Sequence, residues 1–547
     1  MCKPGATRLR GRMPACVADL IVHHAHVVTL DTAAPSVEAL AIRGETIVAV
    51  GTDAEIATCT APRTLDLHGA TVLPGFIDAH AHPGESGMER GLVNLEDVAT
   101  IDEAVARARA WRAANPDPTW IEGGGWDTTS FPDAVPLPAL DAAFGDTPVY
   151  FASADGHSGW ANSAALRAAH LLTGPDPAGG AVLRGPDGAP TGVVRETATD
   201  VVTAAIPTPP RATIDAGLRV ALGELARFGI TSVVEAASDP DLLAGWRRLE
   251  RSGALTARIF AAVPVEPGEG AAGVTRVARL ARRYHSDRLR VDAVKLFFDG
   301  VVETETATLV APYLDGTNAP PQFTDAELDS ILPAAARAGL AVHGHALGDG
   351  AVRQALDAAA RAAVRPRMIL AHLELVDPAD VPRFASLGVV ADLQPFWAYP
   401  DPYVTTGTVP VLGPERVARL YPFGDLLGAR ALLAAGSDWS VTTLDPWPAI
   451  EVAVTRRDPE TPGEALAPDQ ALPLSAILAA YTTGGAHAVA MDGRLGVLRP
   501  GAYADFVVLN RDPLTTPPAD LSTVKVTQTW MGGRMVWDAA PPDGLER

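Results

Sequence analysis

The sequence predicts an α/β fold: a (β/α)8 barrel, a small β-sandwich formed by the N- and C-terminal segments, and a long insertion after the first barrel strand. Three observations carry this. Apolar β-like runs at 71–80, 230–235, 257–263, 291–298, 340–345, 368–372, 388–393 and 431–437 alternate with Ala/Arg/Leu-rich stretches of helical spacing. Short β-like segments flank this region at both ends. Several of the runs end in residues that carry chemistry, and a barrel places its active site at the C-terminal ends of its strands. The rival, a doubly wound open sheet, wants a Gly-x-Gly-x-x-Gly turn after its first strand, and none follows here.

Taken in order, residues 1–18 contain Arg8, Arg10 and Arg12 but lack the apolar centre of a signal peptide. They read as a disordered extension, with Met13 as an alternative start to Met1. Residues 19–70 hold four short β-like runs, the last two joined by the turn Arg43-Gly44-Glu45. With 491–547, which carries Phe506-Val507-Val508-Leu509 and a Gly532-Gly533 turn, they form the expected sandwich. Chain ends commonly lie close together in a domain. The barrel is expected over 71–490. Within it, about 84–212 is far more chain than one crossover helix needs, and should overhang the barrel mouth and contribute to a substrate pocket. Helices are expected at 214–228, 325–338 and 350–363, the second opened by a Thr324/Glu327 capping box.

The 547-residue chain is 47% hydrophobic with a net charge of −21, which allows a sizeable core and argues against a nucleic-acid partner. No apolar run approaches the length that crosses a bilayer, so no membrane association is expected. The three cysteines, Cys2, Cys16 and Cys59, suggest no disulfide framework, and a cytoplasmic location is expected.

The stretch 72–82, Val-Leu-Pro-Gly-Phe-Ile-Asp-Ala-His-Ala-His, organises the rest. Side chains alternate along a strand, so His80 and His82 share a face and make half of a metal site. Lys295 lies in an apolar run; it is either paired with Asp299 or Glu303, or carries a lowered pKa that lets it take up CO₂ as a carbamate. His343 and His345 form a second His-x-His at a strand end, one of them a ligand and the other lining the pocket or hydrogen-bonding. His372 ends the next run, as a ligand or a core histidine, and Asp438 ends the last, as a ligand or a helix cap. Imidazole and carboxylate without thiolate suit zinc, with iron and manganese as alternatives.

In this order, Pro-Gly-Phe-Ile-Asp-Ala-His-Ala-His, the strand lysine, the later histidine strands and Gly436-Ser437-Asp438 resemble the amidohydrolase superfamily of metal-dependent hydrolases. Asp155-Gly156-His157-Ser158-Gly159-Trp160, His345-Ala346-Leu347-Gly348-Asp349 and His372-Leu373-Glu374 narrow the likeness to its YtcJ-like branch, which includes N-substituted formamide deformylases. The resemblance implies that His80, His82 and Asp438 hold one divalent ion. Lys295, N6-carboxylated, would bridge to a second held by His345 and His372. One or two ions stay open. Asp438 would serve as the catalytic base and proton donor, and His157 would help polarise the substrate carbonyl.

Trp126, Asp127, Trp160, Phe298, His343, Gln394 and Trp439 are the candidates for the substrate pocket. The implied reaction is hydrolysis of a non-peptide C–N bond in a small-molecule amide, an N-acyl or N-formyl amine. Cyclic-amide hydrolysis or deamination on the same centre, and a binding protein with a vestigial site, are the alternatives. Monomer or homodimer stays open.

Overall fold

The computed structural model describes residues 16–115, 118–127, 131, 134–153, 158–177, 180–461 and 463–539, which fall into two compact units. The first comprises residues up to Pro83 and from Leu222 onward; the second is Gly84–Ala221.

Eight parallel strands in sequence order centre the first unit: β1 (Phe76–Ala81), β2 (Ile230–Glu235), β3 (Arg258–Pro264), β4 (Leu289–Phe297), β5 (Ala341–Ala346), β6 (Met368–His372), β7 (Val389–Leu393) and β8 (Leu432–Ala435). Helices intervene, including Pro240–Arg251, Gly270–Arg283, Asp325–Ala338 and Asp349–Arg361. Past β8, the Asp438 N–H donates to the His80 carbonyl at 2.7 Å and the His82 N–H to the Trp439 carbonyl at 2.8 Å. These bonds bring the last strand's continuation alongside the end of the first, the arrangement of a (β/α)8 barrel. Small side chains form a layer inside it: Ala79, Ala262, Ala293, Ala341 and Ala434 with Ile369 and Val390. Two residues on from this layer, towards the strand ends, stand Lys295 on β4, His343 on β5 and Asp392 on β7. Ser/Thr capping works as expected at Asp325–Ala338, where the Thr324 hydroxyl accepts the Glu327 N–H and Glu327 returns a bond to the Thr324 N–H at 2.8 Å.

The run expected at 71–80 is two strands. Thr71–Pro74 belongs to a six-stranded sheet, pairing antiparallel with Phe506–Leu509 and parallel with His26–Val28. Phe76–Ala81 is barrel strand β1. Gly75 is the break, and a Cβ there would lie 2.3 Å from the Thr231 hydroxyl, so only glycine allows β1 and β2 to approach this closely. A four-stranded sheet holds Leu20–His23, Ala39–Arg43, Thr46–Gly51 and Arg63–Asp66. One apolar core unites the two sheets, with Leu20, Val22, Leu40 and Ile42 from the N-terminal side and Leu498, Phe506, Val508 and Trp530 from the C-terminal side. Arg258, at the start of β3, is fully buried against this C-terminal segment. Its Nε donates to Asp505 at 2.9 Å and its guanidinium lies 3.7 Å from the Tyr503 ring centre.

Cys16 and Cys59 form a disulfide. The expectation that the cysteines stay unpaired is corrected: spacing in sequence does not show which strand edges meet. Cysteine content therefore carries no argument for a reducing compartment. Among the described residues no helix is long and apolar enough to cross a membrane.

In the second unit a six-stranded sheet runs in the order Gly180–Arg184, Pro190–Glu196, Ser158–Ala161, Val149–Ser153, Ile121–Trp126, Val93–Asn94. Trp126 and Trp160, expected at a substrate pocket, are instead core side chains of this unit. Their rings stack at 4.3 Å, both are buried, and the Trp126 indole N–H donates to the Phe151 carbonyl at 2.9 Å. The strand pleat turns both indoles toward Leu140, Phe144 and Phe151. Asp127 is exposed. His157 lies outside the described residues.

Candidate metal centre

β1 brings His80 and His82 to one end of the barrel, where both face Asp438. The Asp438 Oδ1 lies 3.4 Å from the His80 Nε2 and 3.3 Å from the His82 Nε2. Lys295 Nζ, fully buried, is 3.3 Å from the same His80 Nε2. The His372 ring stands 4.6 Å from that of His80 and 4.5 Å from that of His345. Six side chains from five strands thus meet in one place.

Backbone strain accompanies the meeting. His372 has φ +81° and Asp438 has φ +52°, in the region that non-glycine residues rarely adopt. Surrounding bonds hold both. The Gln394 amide oxygen accepts the His372 N–H at 2.7 Å, and Leu373 N–H donates to the Ala346 carbonyl. Asp78 accepts from the Ser437 hydroxyl at 2.6 Å and from the backbone N–H of both His80 and Ser437. Because Ser437 precedes Asp438 and Asp78 precedes His80 by two, this carboxyl ties the two ligand-bearing segments together. Burial raises the Asp78 pKa to about 7. Asp299 similarly anchors the loop after β5, accepting the backbone N–H groups of Thr308, Leu347 and Gly348. It is therefore not the partner of Lys295. Glu303 is not either, since it bonds to the Thr408 hydroxyl.

The electrostatics leave four of the five imidazoles neutral. Burial, then the Lys295 charge, holds His80 and His343 well below the usual range and brings His345 to about 4. Burial and the neighbouring His345 do the same for His372. His82 moves upward, because contact with Asp438 outweighs burial. Burial lowers Lys295 to about 8 despite the nearby Asp438 and Asp392. A neutral imidazole offers a lone pair, which is the form that binds metal.

The donor set fits a divalent cation. Both ring nitrogens of His372 and the Asp438 Oδ1 are buried without a hydrogen-bond partner among the described residues. Buried polar atoms are costly to leave unmet, and here they converge beside neutral nitrogen donors. His345 gives its Nε2 to the Gly300 carbonyl at 3.2 Å, which leaves Nδ1 as the nitrogen available to a cation.

The expected pocket residues fare differently. Phe298 is buried against Phe323 and over Gly344, so the expectation of a pocket position is corrected. Alternation along β4 puts Lys295 and Phe297 on the inner face and Phe298 on the outer one. Phe297, half-exposed, lies 5.4 Å from the His345 ring. Gln394 is buried and occupied in holding His372, and Trp439 is buried with its carbonyl accepting from His82. His343 is buried behind His80, its Nε2 2.8 Å from the His80 Nδ1. Trp397 stacks on His372, the rings 5.1 Å apart and nearly parallel. Asp78, Asp392 and Ser437 escaped the sequence reading, although Asp78 and Asp392 are carboxylates inside apolar runs and carry the same signal that singled out Lys295. Away from the barrel, His23 and His24 lie beside Asp66 on an exposed edge, where His24 and His68 both pair with that carboxylate.

Comparison with known proteins adds the following. Residues 63–537 match the model of the Amidohydrolase family. Protein LONG AFTER FAR-RED 3 of Arabidopsis thaliana is 30% identical over 550 residues, covering 95% of this chain and 92% of that protein. N-substituted formamide deformylase of Arthrobacter pascens is 26% identical over 549 residues, covering 94% and 97%. A crystal structure of an uncharacterized metal-dependent hydrolase from Pyrococcus horikoshii OT3 superposes with a TM-score of 0.78 at 26% identity, covering 91% of this chain and 99% of that one.

Proposed function

Because the chain belongs to the amidohydrolase family, a family of metal-dependent hydrolases, we propose that it cleaves the non-peptide C–N bond of an N-acyl or N-formyl amine. One observation carries the reading: His80, His82, His345, His372, Lys295 and Asp438 converge at one end of the barrel, where the buried His372 nitrogens and Asp438 Oδ1 are unmet among the described residues.

In this proposal His80, His82 and Asp438 would hold one divalent ion, and His345 and His372, with Lys295 as its carbamate, would hold a second. Zinc suits the set, which has imidazole and carboxylate donors and no thiolate. The chemistry that such a cation supplies when bound is acidification of water and polarisation of a carbonyl. Asp438 accepts a proton from water and delivers it to the departing nitrogen, so amide and water become acid and amine. Lys295 suits carbamate formation because its lowered pKa leaves much of the amine unprotonated near pH 8. His157 is proposed to steady the substrate carbonyl. Phe297, half-exposed and 5.4 Å from the His345 ring, offers an apolar wall beside the centre and favours a substrate with an apolar or aromatic part. The formamide deformylase among the relatives supports the formyl or short-acyl choice.

The test is a panel of N-substituted formamides, N-acyl amines and cyclic amides, read by released amine, on protein whose metal has been counted after purification without added zinc. Turnover of open-chain formamides or acyl amines is expected, with one or two ions per chain. Turnover of cyclic amides alone would move the assignment to ring opening. Absence of both metal and turnover would leave a vestigial site and refute the proposal.

A further inference from the structure

Behind His80, on the side away from Asp438, lies a group that no catalytic assignment uses. The His343 Nε2 is 2.8 Å from the His80 Nδ1, and an Asp392 oxygen lies 3.9 Å from that Nδ1 and 4.0 Å from that Nε2. All three side chains are buried, and neither Asp392 oxygen has a hydrogen-bond partner among the described residues. A fully buried carboxyl with no bond of its own is rare and calls for a reason.

Two readings compete, and the distances decide. Were the trio itself a cation site, two imidazole nitrogens on one tetrahedral ion at ~2.0–2.1 Å would stand roughly 3.3 Å apart. The observed 2.8 Å is too short for that and is the length of an N–H···N hydrogen bond. One ring must then donate and the other accept. His80 has its other nitrogen, Nε2, on the side of Asp438 and Lys295, where a proton would occupy the position the cation takes. The consistent arrangement puts the proton on His80 Nδ1, with the His343 Nε2 lone pair accepting it. Asp392 lies beside that bond on β7, and a carboxyl there favours the end of the His80 ring that carries the N–H. The opposite end is then left as a bare lone pair.

We propose that His343 and Asp392 act as positioning residues that hold His80 as its Nδ1–H tautomer, so that Nε2 is presented to the cation of the barrel centre. This rests on the reading of His80 as a metal ligand. His343 takes the place that a carboxylate or backbone carbonyl fills behind many metal-bound histidines, and Asp392 supports it from the neighbouring strand. Loss of such a partner costs roughly 10- to 100-fold in metal affinity.

Zinc affinity, measured by competition with a chromogenic chelator on the full chain, tests this without reference to turnover. His343→Leu, which removes the acceptor, is expected to weaken zinc binding roughly 10- to 100-fold. His343→Gln, whose amide oxygen can accept the same proton, should recover most of that loss, and Asp392→Asn should fall between. The melting temperature of each metal-free variant reports whether it folds. Should His343→Leu not fold, His343→Asn, polar but too short to reach His80, replaces it. Affinity within twofold of the parent in a folded Leu or Asn variant overturns the proposal. So does the loss of one whole zinc equivalent in Asp392→Asn with the remainder bound as tightly as before, since the trio would then be a cation site in its own right. His80→Ala separates the two levels of the argument. If it leaves zinc affinity unchanged, the metal-ligand reading itself fails; if it weakens zinc while His343→Leu does not, only the present inference fails.

Discussion

Ser437→Ala removes a single oxygen, and the structure fixes what that should cost. The hydroxyl donates to Asp78 at 2.6 Å and accepts the Trp439 N–H at 3.0 Å, both in the interior. Losing a bond to a carboxylate costs about 1.5–3 kcal/mol, and leaving a buried N–H without a partner costs about 1–3 kcal/mol. Asp78 keeps two backbone donors, from His80 and Ser437 itself, which places the expected destabilisation at about 2–5 kcal/mol. Urea unfolding of metal-free protein measures it without the contribution of bound ligand. Combined with Asp78→Asn, the loss should be smaller than the sum of the single losses, because both substitutions break the same bond. A loss below about 1 kcal/mol for Ser437→Ala, or strict additivity of the pair, would refute the view that this bond clamps the first strand to the last.

Asp438→Asn is expected to retain metal while turnover falls about 10²–10⁴-fold, the usual worth of a proton-transferring group; a rate near the parent's would place the base elsewhere. Lys295, with a folded pKa near 8 against 10.5 for the free side chain, releases its proton before the unfolded chain does. Stability of the metal-free protein should therefore rise between about pH 8 and 10.5, by about 3 kcal/mol, and Lys295→Met should abolish that rise in urea titrations. ¹³C-bicarbonate should label Lys295 increasingly as pH passes 8, visible as a carbamate signal in ¹³C NMR, and no signal would exclude carboxylation. Cys16 and Cys59 close a loop of sequence separation 43, so Cys59→Ser should cost about 2–4 kcal/mol in the oxidised protein and nothing after reduction.

Periodicity made the barrel legible because each parallel strand, buried on both faces, reads as a near-continuous apolar run. Seven of the expected runs, from 230–235 to 431–437, fall on β2 to β8 with ends shifted by a few residues. The run at 71–80 is interrupted at Pro74-Gly75, itself a turn signal, but nothing local shows that the strands on either side join different sheets; the close approach at Gly75 depends on Thr231, more than 150 residues away. Side chains at strand ends were readable by type and by parity. Residue type alone does not separate Phe297 from Phe298, whereas parity counted from Lys295 does. What stayed hidden was partnership: that Ser437 meets Asp78, that Cys16 meets Cys59, and that Trp126 meets Trp160 inside their own unit. Each depends on which elements become neighbours, and hydrophobic period does not report that.

The stretch carrying His80 and His82 has one foot in each of two sheets, and the outer foot is held by Phe506–Leu509. Nascent chain emerges from the ribosome in order, so the histidines appear early while the strand that steadies them arrives long after them. A polypeptide stopped before residue 506 would carry every candidate metal-binding side chain yet leave the first strand half supported. Emergence of Phe506–Leu509 is thus a precondition for a rigid centre, and it, rather than exposure of the histidines, sets the earliest moment at which a tight centre can assemble.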